Sequence, residues 1–342
     1  MTTNMSKIQH KLALFIENHN ALKKGRLSGY VGRRLIAFVF ALNNYGVDCN
    51  ILRNKYDIAR PVASFPHGEV MVTPLSAIKT NNSDADFLTL IGKINEVYEK
   101  MVKAGFLYDS HYISLASYFV ATMTGSSNYD NAVARAREFY TEAIGSRGID
   151  MYEEDFPLVA LFGVSDMDIN YTQEQVVQQW QFYSANLEKE LMNAAMQLAL
   201  TLVFNSSVDP NHAVALGSEL IKITNRERML QWTRIGAFPA LGILAQLPVD
   251  IGTLIGEISH TQNLLWQQKG FSKMRVPNYE VQITAALIVA SVYLDNMKQT
   301  PGICPSYLVH LENMIINVQY TFLRGMSERL NQNWLYSRGR RQ

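Results

Sequence analysis

Hydrophobic positions along this chain fall into helical faces that recur at a nearly constant interval. A bulky side chain near the end of an amphipathic segment stands at Tyr98, Tyr140, Tyr183, Ile221 and Leu265, with spacings of 42, 43, 38 and 44 residues. The centre of a small-and-apolar segment stands at Ala37, Ala77, Ala116, Ala160, Ala199, Leu241 and Ala286, with spacings of 40, 39, 44, 39, 42 and 45 residues. Two landmarks that advance together over such a period mark a repeat of helix pairs.

The two kinds of segment differ in what they can face. Those around Phe87 to Lys103 and Ala132 to Ala143 keep a charged side, so they belong outside. Those around Leu158 to Phe162, Leu198 to Phe204 and Ala285 to Leu294 are apolar nearly all round and must be covered on several sides. Start signals fit this order. Val-Asp recurs at Val47-Asp48, Val208-Asp209 and Val249-Asp250, each placing an N-cap before an amphipathic segment. Asp209 is followed by Pro210, a favoured first helical residue. Thr172 with Gln175 fits a capping box, and Asn128 or Asp130 can cap the helix that runs through Phe139. The run Val281 to Val292 carries Ala285, Ala286 and Ala290 at helical spacing, which argues against a strand.

These signals predict an all-α chain of about seven helix pairs between residues 10 and 296. A C-terminal helix follows, from about Pro305 to Trp334, with a flexible tail from about residue 335. Such a tandem helix-pair array stacks as an α-α superhelix or closes as an α/α toroid. No low-complexity linker interrupts residues 1–342, which predicts a single domain.

Composition narrows the function classes. Hydrophobic residues make up 48% of the 342, ample for a core, and charged residues only 18%, below the usual fraction of roughly 25%. Lys+Arg 31 against Asp+Glu 30 leaves no global field to draw in nucleic acid or a membrane surface. Two cysteines, Cys49 and Cys304, cannot build a disulfide framework or a thiolate metal site, and fit a reducing compartment. No secretory leader opens the sequence. A long uncharged stretch, Leu191 to Val208, is interrupted by Asn193, Gln197, Asn205, Ser206 and Ser207, so a buried helix fits it better than a membrane span. The expectation is a soluble cytoplasmic protein.

Motifs for specific chemistry are scarce. Glu257-Ile-Ser-His260 puts a carboxylate and an imidazole on one helix face, but a di-iron site needs a second copy and two more glutamates, and no second copy exists. Asp166-Met-Asp168-Ile-Asn170 begins like a calcium loop, yet Tyr171 and Val177 occupy the places of its glycine and final glutamate. It is expected to be a turn and a cap. Phosphate-cradling, dinucleotide, nucleophile-elbow and zinc-protease motifs are absent. Neither a metal nor a cofactor is expected. Basic clusters at Lys23, Lys24, Arg26, Arg33 and Arg34 and at Arg338, Arg340 and Arg341 lack interleaved aromatics, which speaks against nucleic-acid binding.

The repeat itself indicates where a site would sit. Second helices of successive pairs run the same way, so their N-termini gather on one rim. Polar residues stand there: His67 and Glu69, Asp109 and His111, Glu153, Glu154 and Asp155, Asn193, Arg234, and Tyr279 with Glu280. Exposed N–H groups and loop side chains meet at such a rim and can form a pocket. Acids there also serve simply as caps, as Asp155 before Phe156-Pro157 would.

Asp155-Phe-Pro-Leu-Val-Ala-Leu-Phe162, Gly105-Phe106 with Tyr112-Ile-Ser-Leu-Ala116, and Asn193 to Phe204 with Gln197 resemble an uncharacterised bacterial family, domain of unknown function four thousand and three (DUF4003). The resemblance covers roughly residues 10–300. It implies a cytoplasmic, all-helical protein and carries over no catalytic residue. The expected function is a helical-repeat binding or scaffold protein for a peptide, a protein or a small ligand. The alternative is an enzyme of the toroid type. There, Asp109 or Glu154 would act as general acid or base, with His67 or His111 as proton shuttle or metal ligand.

Overall fold

The computed structural model describes residues 3–65, 69–106, 111–147, 153–186, 195–205, 209–224, 239–271 and 278–339. Within helices it leaves out the side chains at 3, 30, 69–70, 142–147, 221, 223–224 and 325–339. The described residues hold fifteen α-helices and no strand. Among the described residues the first fourteen can be taken two at a time in chain order. They are α1 (Thr3–Lys24) with α2 (Tyr30–Leu42), α3 (Cys49–Ala59) with α4 (Glu69–Lys79), α5 (Asp84–Lys103) with α6 (His111–Met123), and α7 (Tyr129–Arg147) with α8 (Phe156–Val164). Next come α9 (Ile169–Asn186) with α10 (Ala195–Leu202), α11 (Pro210–Thr224) with α12 (Pro239–Ala245), and α13 (Ile251–Trp266) with α14 (Asn278–Lys298). The long helix α15 (Pro305–Gly339) follows. The all-α class predicted from periodicity is the class observed.

Helix starts follow the aspartates. Asp48 Oδ1 accepts from the Asn50 and Ile51 N–H groups, Asp209 Oδ1 from Asn211 N–H, and Asp250 Oδ1 from Thr253 N–H. All three Val-Asp signals therefore cap helices, each satisfying N–H groups that have no partner inside the helix. Thr172 does not cap. α9 begins three residues earlier, where Asp168 Oδ1 accepts from Tyr171 N–H at 2.8 Å, and the Thr172 hydroxyl bonds back to the Asp168 carbonyl. A carboxylate is a stronger acceptor than a hydroxyl, so Asp168 takes the cap position.

The chain forms two compact units, Ala13–Gln178 and Met1–Leu12 with Gln179–Gln342. In Ala13–Gln178 the second helices α2, α4, α6 and α8 pack on one another in order, and the first helices α3, α5 and α7 do the same. Each second helix of α4, α6 and α8 also packs on its own partner. α5 shows the outer pattern: Phe87, Leu90, Ile91, Ile94, Val97, Tyr98 and Met101 are buried, while the charged face is exposed. α6 shows the inner one, with every residue from Tyr112 to Ala121 buried. In the other unit α10, α12 and α14 pack successively, and α15 covers α12 and α14. Here the inner character is stronger still, because α14 is buried from Glu280 through Leu294. The landmarks Ala37, Ala77, Ala116, Ala160, Ala199, Leu241 and Ala286 are all buried.

Small residues set how closely these helices approach. A Cβ added at Gly163 of α8 would lie 2.3 Å from the Ala132 carbonyl oxygen and 2.9 Å from the Ala136 Cβ of α7. Neither neighbour can move without shifting a helix. Gly92, on the exposed side of α5, has nothing within 4 Å of such an atom. Gly163→Ala is therefore expected to destabilise Ala13–Gln178 by about 1–3 kcal/mol through overpacking. Gly92→Ala is expected to stabilise it by about 0.5–1 kcal/mol by removing helix-interior backbone entropy. Denaturant midpoints check both, and effects of the same sign would contradict the packing described.

Candidate functional site

Of the rim residues expected from the sequence, His67, Asp109, Asn193 and Arg234 lie outside the described residues. Glu69 opens α4, but its side chain also lies outside them. His111 opens α6 and is half-buried. Glu153, Glu154 and Asp155 form a 3-10 turn that packs against both α6 and α8. Glu153 and Glu154 are half-buried, and Asp155 is buried. Asp155 stands at the N-cap position of α8, yet its side chain bonds no N–H of the helix. Its own backbone is helical there, which turns the carboxylate away from the cap geometry. Tyr279, in the other unit, is half-buried and sets its ring 6.4 Å from that of Phe322, beside the fully buried Glu280.

Around the Glu153–Asp155 turn the structure adds a group that the sequence did not single out. Phe106, Tyr140 and Phe156 form a ring cluster with centroids 5.1–5.8 Å apart. The Arg137 guanidinium lies 5.7 Å from the Phe106 ring centroid and 5.4 Å from that of Tyr140. Burial raises the Tyr140 phenol above its ordinary pKa; Arg137 opposes this, and Asp155 and Glu153 add to it. The phenol stays protonated at neutral pH. Phe106 and Phe156 are both buried, so these rings pack against the first turn of α8.

A cavity lies at the opposite ends of the same helices. A polar cleft of about 300 Å³ is lined by Thr124 after α6, Asn128, Asn131, Ala132 and Arg135 at the start of α7, and Gly163, Val164, Ser165 and Asp166 at the end of α8. One nitrogen of Arg135, Nη2, donates to the carbonyls of Ser165 at 3.0 Å and Met167 at 2.5 Å. It thereby holds the chain where α8 stops. The Ser165 hydroxyl donates to the Phe162 carbonyl and accepts from Met167 N–H. Asp166-Met-Asp168 is accordingly a turn followed by a cap, as its sequence suggested, with Asp166 exposed at the cleft edge. Asn128 and Asn131 are exposed as well. Their spacing with Arg135, three and then four residues, places all three on one helical stripe. That stripe was the available sequence signal for this cleft.

In the other unit a hydrogen-bonded chain lies at the ends of α10 and α12. Asn205 Nδ2 donates to the Tyr307 hydroxyl at 3.0 Å, and that hydroxyl donates to Gln246 Oε1 at 3.3 Å. Gln246 Nε2 in turn donates to the Gly242 carbonyl at 2.9 Å. The start of α15 is thus stapled over the ends of α10 and α12.

The Glu257 carboxylate is engaged by a tyrosine rather than by His260. The Tyr293 hydroxyl donates to the Glu257 carboxylate and accepts from the Asn4 amide. Asn296 Nδ2 donates to Asn4 Oδ1, Lys7 Nζ donates to Asn296 Oδ1, and Lys11 pairs with Asp295 at 2.9 Å. Glu257 therefore belongs to a polar chain that docks the first turns of α1 on α14. Among the described residues no three His, Cys, Asp or Glu side chains are grouped to hold a metal ion. No helix among them is long and apolar enough to cross a membrane.

Over residues 19–321 the chain matches the family described as Protein of unknown function (DUF4003), and it belongs to that family. No curated protein and no solved structure matches it.

Burial raises the Glu257 carboxyl above its ordinary value of 4.5, with Tyr293 opposing and the Asp250 charge adding to the rise. The unfolded carboxyl ionises first as pH climbs, so this group makes the fold less stable from about pH 4.5 through its higher folded value. Glu257→Gln keeps an acceptor for Tyr293 without the charge. It is expected to raise the thermal midpoint at about pH 8 and to leave it unchanged near pH 4. A pH-independent shift in a melting series would contradict this assignment.

Proposed function

We propose that this DUF4003 member is a cytoplasmic helical-repeat binding protein that holds a small polar ligand in the Arg135 cleft of Ala13–Gln178. The observation that carries this function is the composition of the cleft wall. A guanidinium, a carboxylate, two side-chain amides and two hydroxyls converge on about 300 Å³ at the ends of rigid helices. That volume is at the lower end of small-molecule sites. Donors and acceptors of both charge signs fit a compact molecule that carries both kinds of group. Arg135 is already oriented by the two carbonyls it bonds, so little side-chain ordering remains for binding to supply. A toroid enzyme would instead need His67, Glu69, Asp109, His111 and Glu154 to meet at the other ends of these helices. No described feature favours that meeting over binding in the cleft.

Mass spectrometry of the protein purified from its own cell extract tests the proposal. A small polar compound is expected to accompany the wild type. Titration calorimetry with that compound is expected to show at least a tenfold loss of affinity in Asn131→Ala, about 1.4 kcal/mol, with the melting temperature unchanged. Asn131 is exposed, so the substitution removes a cleft group without opening the core. The proposal fails if nothing accompanies the protein, or if the compound binds Asn131→Ala and Asn128→Ala as tightly as the wild type.

A further inference from the structure

The turn between α1 and α2 collects cations from three helices. Lys23 and Lys24 end α1, Arg26 lies in the turn, Arg33 and Arg34 stand on the first turns of α2, and Arg53 reaches over from α3. Two guanidiniums grip the turn from different sides. Arg33 Nη1 donates to the Ser28 carbonyl at 2.8 Å, and Arg53 Nη2 donates to the Gly25 carbonyl at 2.9 Å. Each commits one nitrogen to the backbone and keeps further N–H groups. Lys23, Lys24, Arg26 and Arg53 are exposed, and Arg33 is half-buried.

These charges are not held in ion pairs among the described residues. Lys23, Lys24, Arg26, Arg33 and Arg53 make no ion pair among the described residues, whereas Lys11, Lys55, Lys100, Lys222 and Lys298 all do. No acid occupies the first turn of α2. Asp48, at the start of α3, already accepts from two N–H groups as a cap. Five like charges are therefore held around one short turn in a chain whose overall charge is only +1. Beneath them the imidazole of His19 is buried, with Lys23 four residues along its own helix and Arg33 and Arg34 facing it from α2.

We propose that this turn is a docking surface for a compact, phosphate-bearing anion, bound by Lys23, Lys24, Arg26, Arg33 and Arg53. Guanidinium groups already oriented by one backbone bond suit the paired oxygens of a phosphoryl group, and the exposed ammonium groups add charge without fixed geometry. More than two unpaired cations fit a ligand with several negative charges, such as a diphosphate. A nucleic-acid backbone fits less well. It would need a stripe of cations along the surface, and here they are confined to one turn and a single residue of α3. The site shares no residue with the Arg135 cleft, and its test does not depend on that cleft.

Pyrophosphate is the probe, titrated against sodium chloride of matched ionic strength and followed by calorimetry and by the His19 imidazole resonance. Burial first, and then Arg34, Arg33 and Lys23, hold the His19 pKa down at about 4 in the free protein. A bound anion counters those three cations, so the expected result is saturable binding with an upward shift of the His19 pKa. Lys24→Gln and Arg53→Gln, both at exposed positions, are each expected to weaken binding several-fold and together at least tenfold. Lys93→Gln, on the exposed side of α5, is expected to change nothing. Vesicles of phosphatidic acid in phosphatidylcholine separate the sources of the phosphate. Sedimentation with them that free pyrophosphate reverses assigns a lipid headgroup, and its absence assigns a soluble ligand. The proposal is overturned if sodium chloride reproduces the pyrophosphate response or if the double variant binds like the wild type. It is also overturned if an oligonucleotide binds more tightly than pyrophosphate.

Discussion

Helices without a solvent face are the constraint on which this structure rests. α6 is buried from Tyr112 to Ala121, α8 from Phe156 to Gly163, α12 along its whole length and α14 from Glu280 to Leu294. Burying a large aliphatic or aromatic side chain contributes roughly 1.5–3 kcal/mol, but only where neighbours surround the helix. Each such helix is therefore covered by other second helices and by a first helix, and the amphipathic α5 and α7 exist to provide that cover. The tight spots follow from the same requirement. Gly163 lets α8 reach the α7 backbone, and a Cβ at Gly242 of α12 would lie 2.7 Å from Thr201 of α10. In this chain small residues are packing dimensions more than flexible joints.

A helix buried all round can present function only at its ends. At one end of α8 the rings of Phe106, Tyr140 and Phe156 fill the space, with Arg137 laid over two of them and the acids of the Glu153–Asp155 turn beside Tyr140. At the other end the chain turns away past α8, and one long side chain holds that turn. Arg135 reaches from α7 to two carbonyls beyond α8 and leaves open space around its guanidinium. Where α10 and α12 end, Gln246 donates to the Gly242 carbonyl, and Tyr307 and Asn205 extend that hydrogen-bonded chain to the start of α15.

Periodicity made the architecture legible. The alanine landmarks mark the buried centres of second helices, and the three Val-Asp signals mark helix starts, because both follow from local rules: cover on all sides and satisfied N–H groups. Caps that depend on backbone angle were less legible. Asp155 sits one residue before a helix, yet its own helical conformation denies it the bond, and Thr172 yields its cap to Asp168. Sites assembled across helices were least legible. The Asn128, Asn131 and Arg135 stripe is visible in sequence, but that it faces the end of α8 is a fact of packing. Arg53 stands 27 residues from Arg26, and only the pairing of α3 with the α1–α2 turn brings it to the basic cluster.

Charged groups hold this fold in two different ways. Lys55 is fully buried, donates to the Asn82 carbonyl at 2.6 Å and to Asp84 Oδ1 at 2.7 Å, and lies 4.9 Å from the Phe87 ring centroid. Lys11, also buried, pairs with Asp295. Only the lysine of each pair is buried, since the side chains of Asp84 and Asp295 are 62% and 24% exposed. Such a pair adds little net stability, but sliding α3 against α5, or the first turns of α1 against α14, would strand a buried ammonium at a cost of several kcal/mol. The arginines at the turns are held differently. Arg33, Arg53 and Arg135 each donate to backbone carbonyls where a helix begins or ends. Lys11 and Lys55 are fixed by carboxylates, whereas these arginines are fixed by carbonyls, which leave the guanidinium charge in place.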